Sequence, residues 1–394
     1  MRVALWSPSA GRGWVAALEP HLGRDVELEL VGEEPRSPPA ADLHLYHVAD
    51  DPAHGFVYRA LLRGPGLVVL EDWGLHRLVH AETAGRGNEA EYRQEARRAH
   101  GELGDFVSRQ VVQGSGGVLA AAVLTMNERV LDAGLGFVAT SEAVQARVAA
   151  RLPGRAVAHL PLAFQAPPLR AGRDGARAAL RVPPESLLVV AVQPAAADTP
   201  PERVARALEE VREAEPRAVV RWTREDDPDL VSRLAAADVV VALEHPPRAG
   251  LGVAVPLAVA GGRGALVSAG SGAAREMPEG VVARVSPGPT EIDETVALVS
   301  RLLANESLRS RMGGLAHAYA AQRRDPEGAA RALLDLLRAV ERARGGAATP
   351  GGGPGRLASR ALDEMVVAAR ELGVVDPPPG LASLAAHLFG EDGP

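Results

Sequence analysis

At two points in this 394-residue chain, glycines join an apolar strand-like run to a helix-like run, a junction suited to holding an anion. The first is Ser7-Pro8-Ser9-Ala10-Gly11-Arg12-Gly13, which follows RVALWS. The second is Gly250-Leu251-Gly252, which follows VVVALE and a Pro-containing turn. At both, glycine lets the backbone approach a phosphate, and the start of the next helix offers unpaired N–H groups with favourable partial charge. A plain tight turn around Gly11 and Gly13 has the same spacing, so both meanings stay open there. Glu244 and His245 end the VVVALE run and so point into or beside a cleft at that end.

Acid–base candidates lie earlier. His54 sits in ADDPAHGFVYRALL, where Asp50 or Asp51 can cap the following helix. Asp72 and His76 sit in LVVLEDWGLHRLVHAETAGRG, at and just beyond a strand-like run. Proton transfer or acceptor contacts would occur at such a strand end. The alternative is that Asp72 caps the helix starting near Gly74 while His76 packs on the sheet. His76 and His80 have the i, i+4 spacing of a metal-binding pair, but no third ligand stands at a recognisable spacing, so a helix-surface pair is expected. Glu225-Asp226-Asp227-Pro228-Asp229 contains a D-x-D spacing. It also precedes DLVSRLAAA, with Pro228 suited to the first helical position, so a capped helix start is expected rather than a metal site. No bound metal and no cofactor are expected.

The elements that must position these residues are legible. RVALWS, VELELV, LHLYHV, LVVLED and FVATS alternate with helical runs at 13–22, 52–62, 74–83, 89–112 and 120–133. LLVVAVQ, AVVRWT, VVVALE, GALVSAG and VVARVS alternate with helical runs at 201–214, 228–236, 253–260, 291–304, 307–320 and 327–344. Near-continuous apolar strands between helices imply parallel sheets covered on both faces. Two such series imply two Rossmann-like α/β domains facing each other across a cleft. The expected spans are 1–165 and 166–344, then a Gly/Pro linker at 345–356 and a helical tail at 357–394.

Composition sets limits. The chain has no lysine, one isoleucine (Ile292) and 3% aromatic residues, so Val, Leu and Ala must build the core. All 43 basic residues are arginine, a compositional bias that singles out no particular arginine. A net charge of −7 with dispersed basic residues excludes a nucleic-acid footprint. Cysteine is absent, which excludes disulfides and thiolate chemistry. No apolar stretch approaches the roughly 20 residues of a membrane span, and the N-terminal run has no secretory pattern. A cytoplasmic location is expected, with peripheral membrane association left open.

The 239–282 region resembles the donor-binding region of bacterial glycosyltransferases with the GT-B fold, of family-4 (group 1) type. Those read E-G-F-G, a second glutamate eight positions after the first, then G-K-P-V-V-x-S and a later glutamate. Gly250-Leu251-Gly252, Gly262-Arg263-Gly264 and Glu276 fit that frame, while Ala249 and Leu257 fall where the paired glutamates would be. Some relatives also carry Y-Q-x-G-N-N-x-x-H-x-F-x-Y and P-G-x-V-V-L-H-D-x-x-L-H. This chain keeps His54, Phe56, Tyr58, Pro65-Gly66, Asp72, Leu75 and His76, with Glu71 in place of a histidine. The family's diphosphate-binding lysine is replaced by Ala195 to Thr199, and Arg203 is the nearest cation.

The resemblance implies retaining transfer of a sugar from a nucleotide-sugar co-substrate to a glycan or lipid-linked acceptor, often in surface-polysaccharide assembly. Gly11, Gly13, Glu244, Gly250, Leu251, Gly252 and Glu276 would form the donor side. Asp72, His76 and His54 would form the acceptor side. Each missing electrostatic group would cost roughly 2–4 kcal/mol of transition-state stabilisation. The alternative is therefore a catalytically impaired GT-B protein that binds a sugar, a nucleotide or a partner.

Overall fold

The computed structural model describes residues 1–344 apart from 116–119, 121–122, 166–171, 194–200, 246 and 249. The linker at 345–356 and the tail at 357–394 lie outside the described residues, as do Asp198 and Ala249.

Two wholly parallel sheets form the molecule. The first contains β1 (Arg2–Trp6), β2 (Glu27–Val31), β3 (Leu43–Val48), β4 (Gly66–Leu70), β5 (Gly134–Ala139) and β6 (Ala156–His159), in the order β2-β1-β3-β4-β5-β6. The second contains β7 (Leu187–Gln193), β8 (Ala218–Arg224), β9 (Val239–Ala242), β10 (Gly264–Ser268) and β11 (Val282–Val285), in the order β11-β10-β9-β7-β8. Every residue of β4 and β7 is buried, because helices cover both faces of each sheet. Along β7, Leu188, Val190 and Val192 face one core, while Leu187, Val189 and Ala191 face the other. This is the two-residue period of a strand buried on both sides.

Strand order reverses between β1 and β3 in one sheet and between β7 and β9 in the other. Ligands of open α/β sheets bind beyond the C-terminal strand ends at such reversals. The loops that leave β1, β3, β4 and β9 there carry Gly11, His54, Asp72 and Gly250.

Three local features depart from the sequence expectation. Residues 124–127 are not helical and Met126 has φ +48°, so the run expected at 120–133 is broken there: Ala120 and Val123 are helical before the break, and Glu128–Ala133 is helical after it. The Thr125 carbonyl instead accepts from Leu75 N–H at 2.7 Å, supporting the loop after β4. Pro228 does not begin a helix. The helix is Leu230–Ala236, and Asp227 steadies its approach by accepting from Asp229 N–H at 2.8 Å. Finally, Pro326–Arg344 buries Ala330, Leu333, Leu334, Leu337 and Val340 against Val3, Leu5, Leu45 and Leu67 of the first sheet. The span 166–344 thus ends in a helix packed on the N-terminal domain. Gln165 pins this return: its amide donates to Arg323 O and accepts from Asp325 N–H, both at 2.8 Å. No helix among the described residues is long and apolar enough to cross a membrane.

Candidate functional site

On the first-domain side, Asp72 leaves β4 into a buried position and accepts from Asp50 N–H at 3.1 Å. Burial raises its carboxyl to about 7, Asp50 and Glu71 adding to the rise and Arg248 opposing it. It does not cap the helix His76–Glu82. Asp50 does so, accepting from Leu78 N–H at 3.0 Å and pairing with Arg77 at 3.2 Å. Asp51 caps the 3₁₀ turn Pro52–His54 through Ala53 N–H at 2.7 Å. His54 is buried, with its ring centroid 4.7 Å from that of His47. Burial and the His47 charge push it down to about 3, so it is neutral near pH 7.

His76 is buried, with Nε2 2.8 Å from the Tyr92 hydroxyl. Burial pushes it down to about 4, with His80 and Arg77 adding. His80 lies edge-on to the same Tyr92 ring, and the pair belongs to no metal-capable cluster among the described residues. Nor does the run 225–229, in which Asp226 pairs with Arg224 at 2.9 Å and Asp227 with Arg233 at 3.2 Å.

On the second-domain side, the loop after β9 is organised around Arg248. Its Nε and Nη2 reach Glu244 Oε1 at 2.8 and 2.6 Å, Nη2 also reaches Glu225 Oε1 at 2.8 Å, and its backbone N–H donates to Glu244 Oε2 at 2.9 Å. Glu244 is itself fixed, since its N–H donates to Ser268 Oγ at 2.9 Å. Burial opposes the Arg248 charge, but Glu225, Glu244 and Asp72 outweigh it and hold the guanidinium protonated. Arg248 carries no distinguishing sequence signal, because every basic residue here is arginine. A charged residue two positions before the glycine pair was the available clue.

Gly250 is required by crowding across the domains. A Cβ there would lie 2.4 Å from Asp72 Oδ1 and 2.6 Å from the Glu71 carbonyl. Gly252 is required by its φ of +62° and by Arg248 Nη2 and Glu225 Oε1, each 2.6 Å from its Cβ position. Leu251 is buried in the core of the second domain, as a spacer between them. Leu257, at the position of the family's second glutamate, packs against the same core. Gly11 and Gly13 have φ of +71° and +55°, with open space where a Cβ would be. They lead into the helix Gly13–Leu22, whose N-cap makes no side-chain bond.

Three residues take other places. Arg203 donates to Gly288 O at 2.6 Å and lies 3.6 Å from Glu291, which also pairs with His245. Glu276 spans the domains instead of standing free for a ribose. One oxygen lies 3.2 Å from His159 Nε2, the other accepts from Glu142 N–H at 3.0 Å, and its carbonyl accepts from the Tyr319 hydroxyl at 2.8 Å. A cavity of about 530 Å³ on the first domain, lined by Asn88, Glu91, Gln94, Glu95, Arg98 and Arg129, shares no residue with these loops.

No protein-family model matches the chain, and no curated protein matches its sequence. Solved structures do match its shape. Sucrose-phosphate synthase from Thermosynechococcus elongatus superposes over 86% of this chain and 99% of its own, with TM-score 0.53 and 14% identity. The Anabaena protein HepE in complex with UDP-glucose superposes over 86% of this chain and 100% of its own, with TM-score 0.52 and 14% identity. The same protein in complex with UDP and glucose gives TM-score 0.52 at 13% identity. The chain has the GT-B fold. At such identity the likeness carries the GT-B architecture and leaves the chemistry to the site.

Proposed function

We propose that this chain is a glycosyltransferase that moves a sugar from a nucleotide-sugar donor to a glycan or lipid-linked acceptor with retention of anomeric configuration. The observation that carries the proposal is Arg248, a cation clamped at the mouth of the second sheet beside the glycine pair and facing Asp72 of the first domain. It offers a guanidinium donor where the 195–199 sequence has no basic residue.

Transfer breaks the bond between the sugar's anomeric carbon and the phosphate oxygen, and forms one to the acceptor oxygen on the same face. Charge grows on the departing diphosphate, where a fixed cation stabilises the transition state more than the ground state. Glu244 and Glu225 together more than balance the Arg248 charge, so what Arg248 offers is a fixed N–H donor and not a net positive field; because its fork is already held, no reorganisation is needed when the phosphate leaves. Arg248 Nη1 has no hydrogen-bond partner among the described residues and is the donor assigned to the diphosphate. Asp72, with a carboxyl near 7, can hold or release the acceptor's proton at neutral pH. HepE, which shares the GT-B architecture, has been captured with UDP-glucose, which supports a nucleotide-sugar as the donor.

Calorimetric titration against UDP, GDP and their common sugar conjugates tests the proposal. Micromolar binding that falls at least about tenfold in Arg248→Ala, and less in Arg248→Lys, is expected. A well-folded protein that binds none of them overturns it.

A further inference from the structure

A buried polar line runs beneath the site and ends at one half-exposed carboxylate. Ser7 follows β1, His47 lies in β3 and Glu71 follows β4, so three adjacent strand ends contribute one residue each. Ser7 Oγ is 2.8 Å from His47 Nδ1, and His47 Nε2 is 2.8 Å from Glu71 Oε1, in a bent contact. Ser7 is 0% exposed and His47 3%, whereas the Glu71 side chain is 27% exposed.

Ser7 Oγ also accepts from Ser9 N–H at 3.0 Å. With one lone pair used there, the hydroxyl can give its proton to Nδ1, the arrangement that places the neutral ring's proton on Nε2, facing Glu71. The trio has the residue types of a hydrolytic triad, but a serine with no exposed surface cannot reach a substrate as nucleophile. The direction of the line is the reverse, from the interior outward. The Trp14 ring, 5.2 Å from His47, and the His54 ring, 4.7 Å away, wall the imidazole in and limit it to one orientation. Glu71 Oε2 has no partner among the described residues. The Glu71 backbone meets Gly250 of the second domain, and its carboxylate lies within the field of Arg248 in the same loop.

We propose that Ser7 and His47 are positioning residues that hold Glu71 so that its outer oxygen accepts a hydrogen bond from a hydroxyl of the sugar being transferred. The proposal rests on the donor-site reading above and deepens it. A carboxylate preset by buried partners loses little freedom on binding, so its bond to a hydroxyl is retained in the affinity.

Titration calorimetry of the full chain with UDP, UDP-glucose, GDP and GDP-mannose isolates what the sugar adds to each nucleotide. Glu71→Gln is expected to leave nucleotide affinity unchanged and to lower conjugate affinity about 10- to 100-fold. His47→Leu is expected to show the same pattern more weakly, and His47→Gln, which keeps an N–H donor, to recover most of the loss. An unchanged conjugate affinity in Glu71→Gln overturns the Glu71 role while leaving the donor site standing. Wild-type affinity in His47→Leu overturns the positioning role. A wild-type protein that binds neither nucleotides nor conjugates overturns the donor-site reading and this proposal with it. If His47→Leu fails to fold, ¹⁵N spectra of the wild-type imidazole decide: a proton on Nε2 supports the line, and a neutral ring protonated at Nδ1 overturns it.

Discussion

Asp72 shows how burial sets chemistry at the scale of one residue. Its carboxyl titrates near 7 instead of 3.8 because desolvation outweighs the nearby Arg248. Between those values the folded chain keeps a proton that the unfolded chain has lost, so stability falls as pH rises and the full penalty is felt above 7. Asp72→Asn keeps the acceptor for Asp50 N–H and removes the buried charge. It should raise stability by roughly 1–3 kcal/mol near pH 8 and change little near pH 4, measured by denaturant unfolding at both. If Asp72 handles the acceptor's proton, the same variant loses activity, the usual opposition between stability and function at a working site. The position of Asp72 at a strand end was legible in the sequence. Its titration was not, because that depends on burial and on Asp50 and Arg248, which lie 22 and 176 residues away in the chain and meet it only on folding.

The loop between β9 and the helix Ala254–Ala260 is where element geometry decides the outcome. The two glycines have different physical requirements, and the sequence G-L-G does not distinguish them. Gly250→Ala drives a methyl group into the Glu71 carbonyl and the Asp72 carboxylate of the other domain. Gly252→Ala strains a positive φ and displaces the Arg248–Glu225 pair within its own domain. Each should cost about 1–3 kcal/mol. Nucleotide affinity separates them: Gly252→Ala should lower it by disturbing Arg248, whereas Gly250→Ala should chiefly move the domains apart. Calorimetry with UDP beside small-angle scattering checks the pair. Equal loss of affinity without a change in domain spacing would refute the distinction. The alternation of strands and helices predicted these elements well, since near-continuous apolar strands leave few other folds. The break at 124–127 escaped periodicity because its backbone is claimed by tertiary bonds to Leu75 and His100.

Two features tie the whole molecule together. The last helix, Pro326–Arg344, closes the core under the first sheet, so Leu333→Ala should cost about 2–5 kcal/mol. Hydrogen exchange should quicken in β1 and β3, which it covers, before it quickens in β7. The reverse order would contradict the packing. The second feature is Glu276, clasped to His159 and Glu142. Its bond to Glu276 raises the His159 pKa above 6.5 against the opposing effect of burial. Burial raises the Glu276 carboxyl, but the bonds to His159 and Glu142 outweigh this and hold it below 4.5. The His159 contribution is complete below 6.5 and is lost as pH rises through its raised value. The Glu276 contribution is complete above 4.5 and is lost as pH falls through its lowered value. Domain closure should therefore be strongest between those limits, and Glu276→Gln should flatten the pH profile of the scattering radius. A variant with the wild-type profile would show that the clasp does not govern closure.

By itself the sequence determined two covered parallel sheets, the loops that face each other and the glycines in them. Those follow from hydrophobic period and from backbone freedom, which are local properties. Only the tertiary structure decided which charges work together. Arg248 among 43 identical basic side chains, Glu276 between His159 and Glu142, His76 against Tyr92 and His47 behind Glu71 are all defined by neighbours distant in sequence. Electrostatic interactions depend on separation and burial in space, and neither is written in the order of the residues.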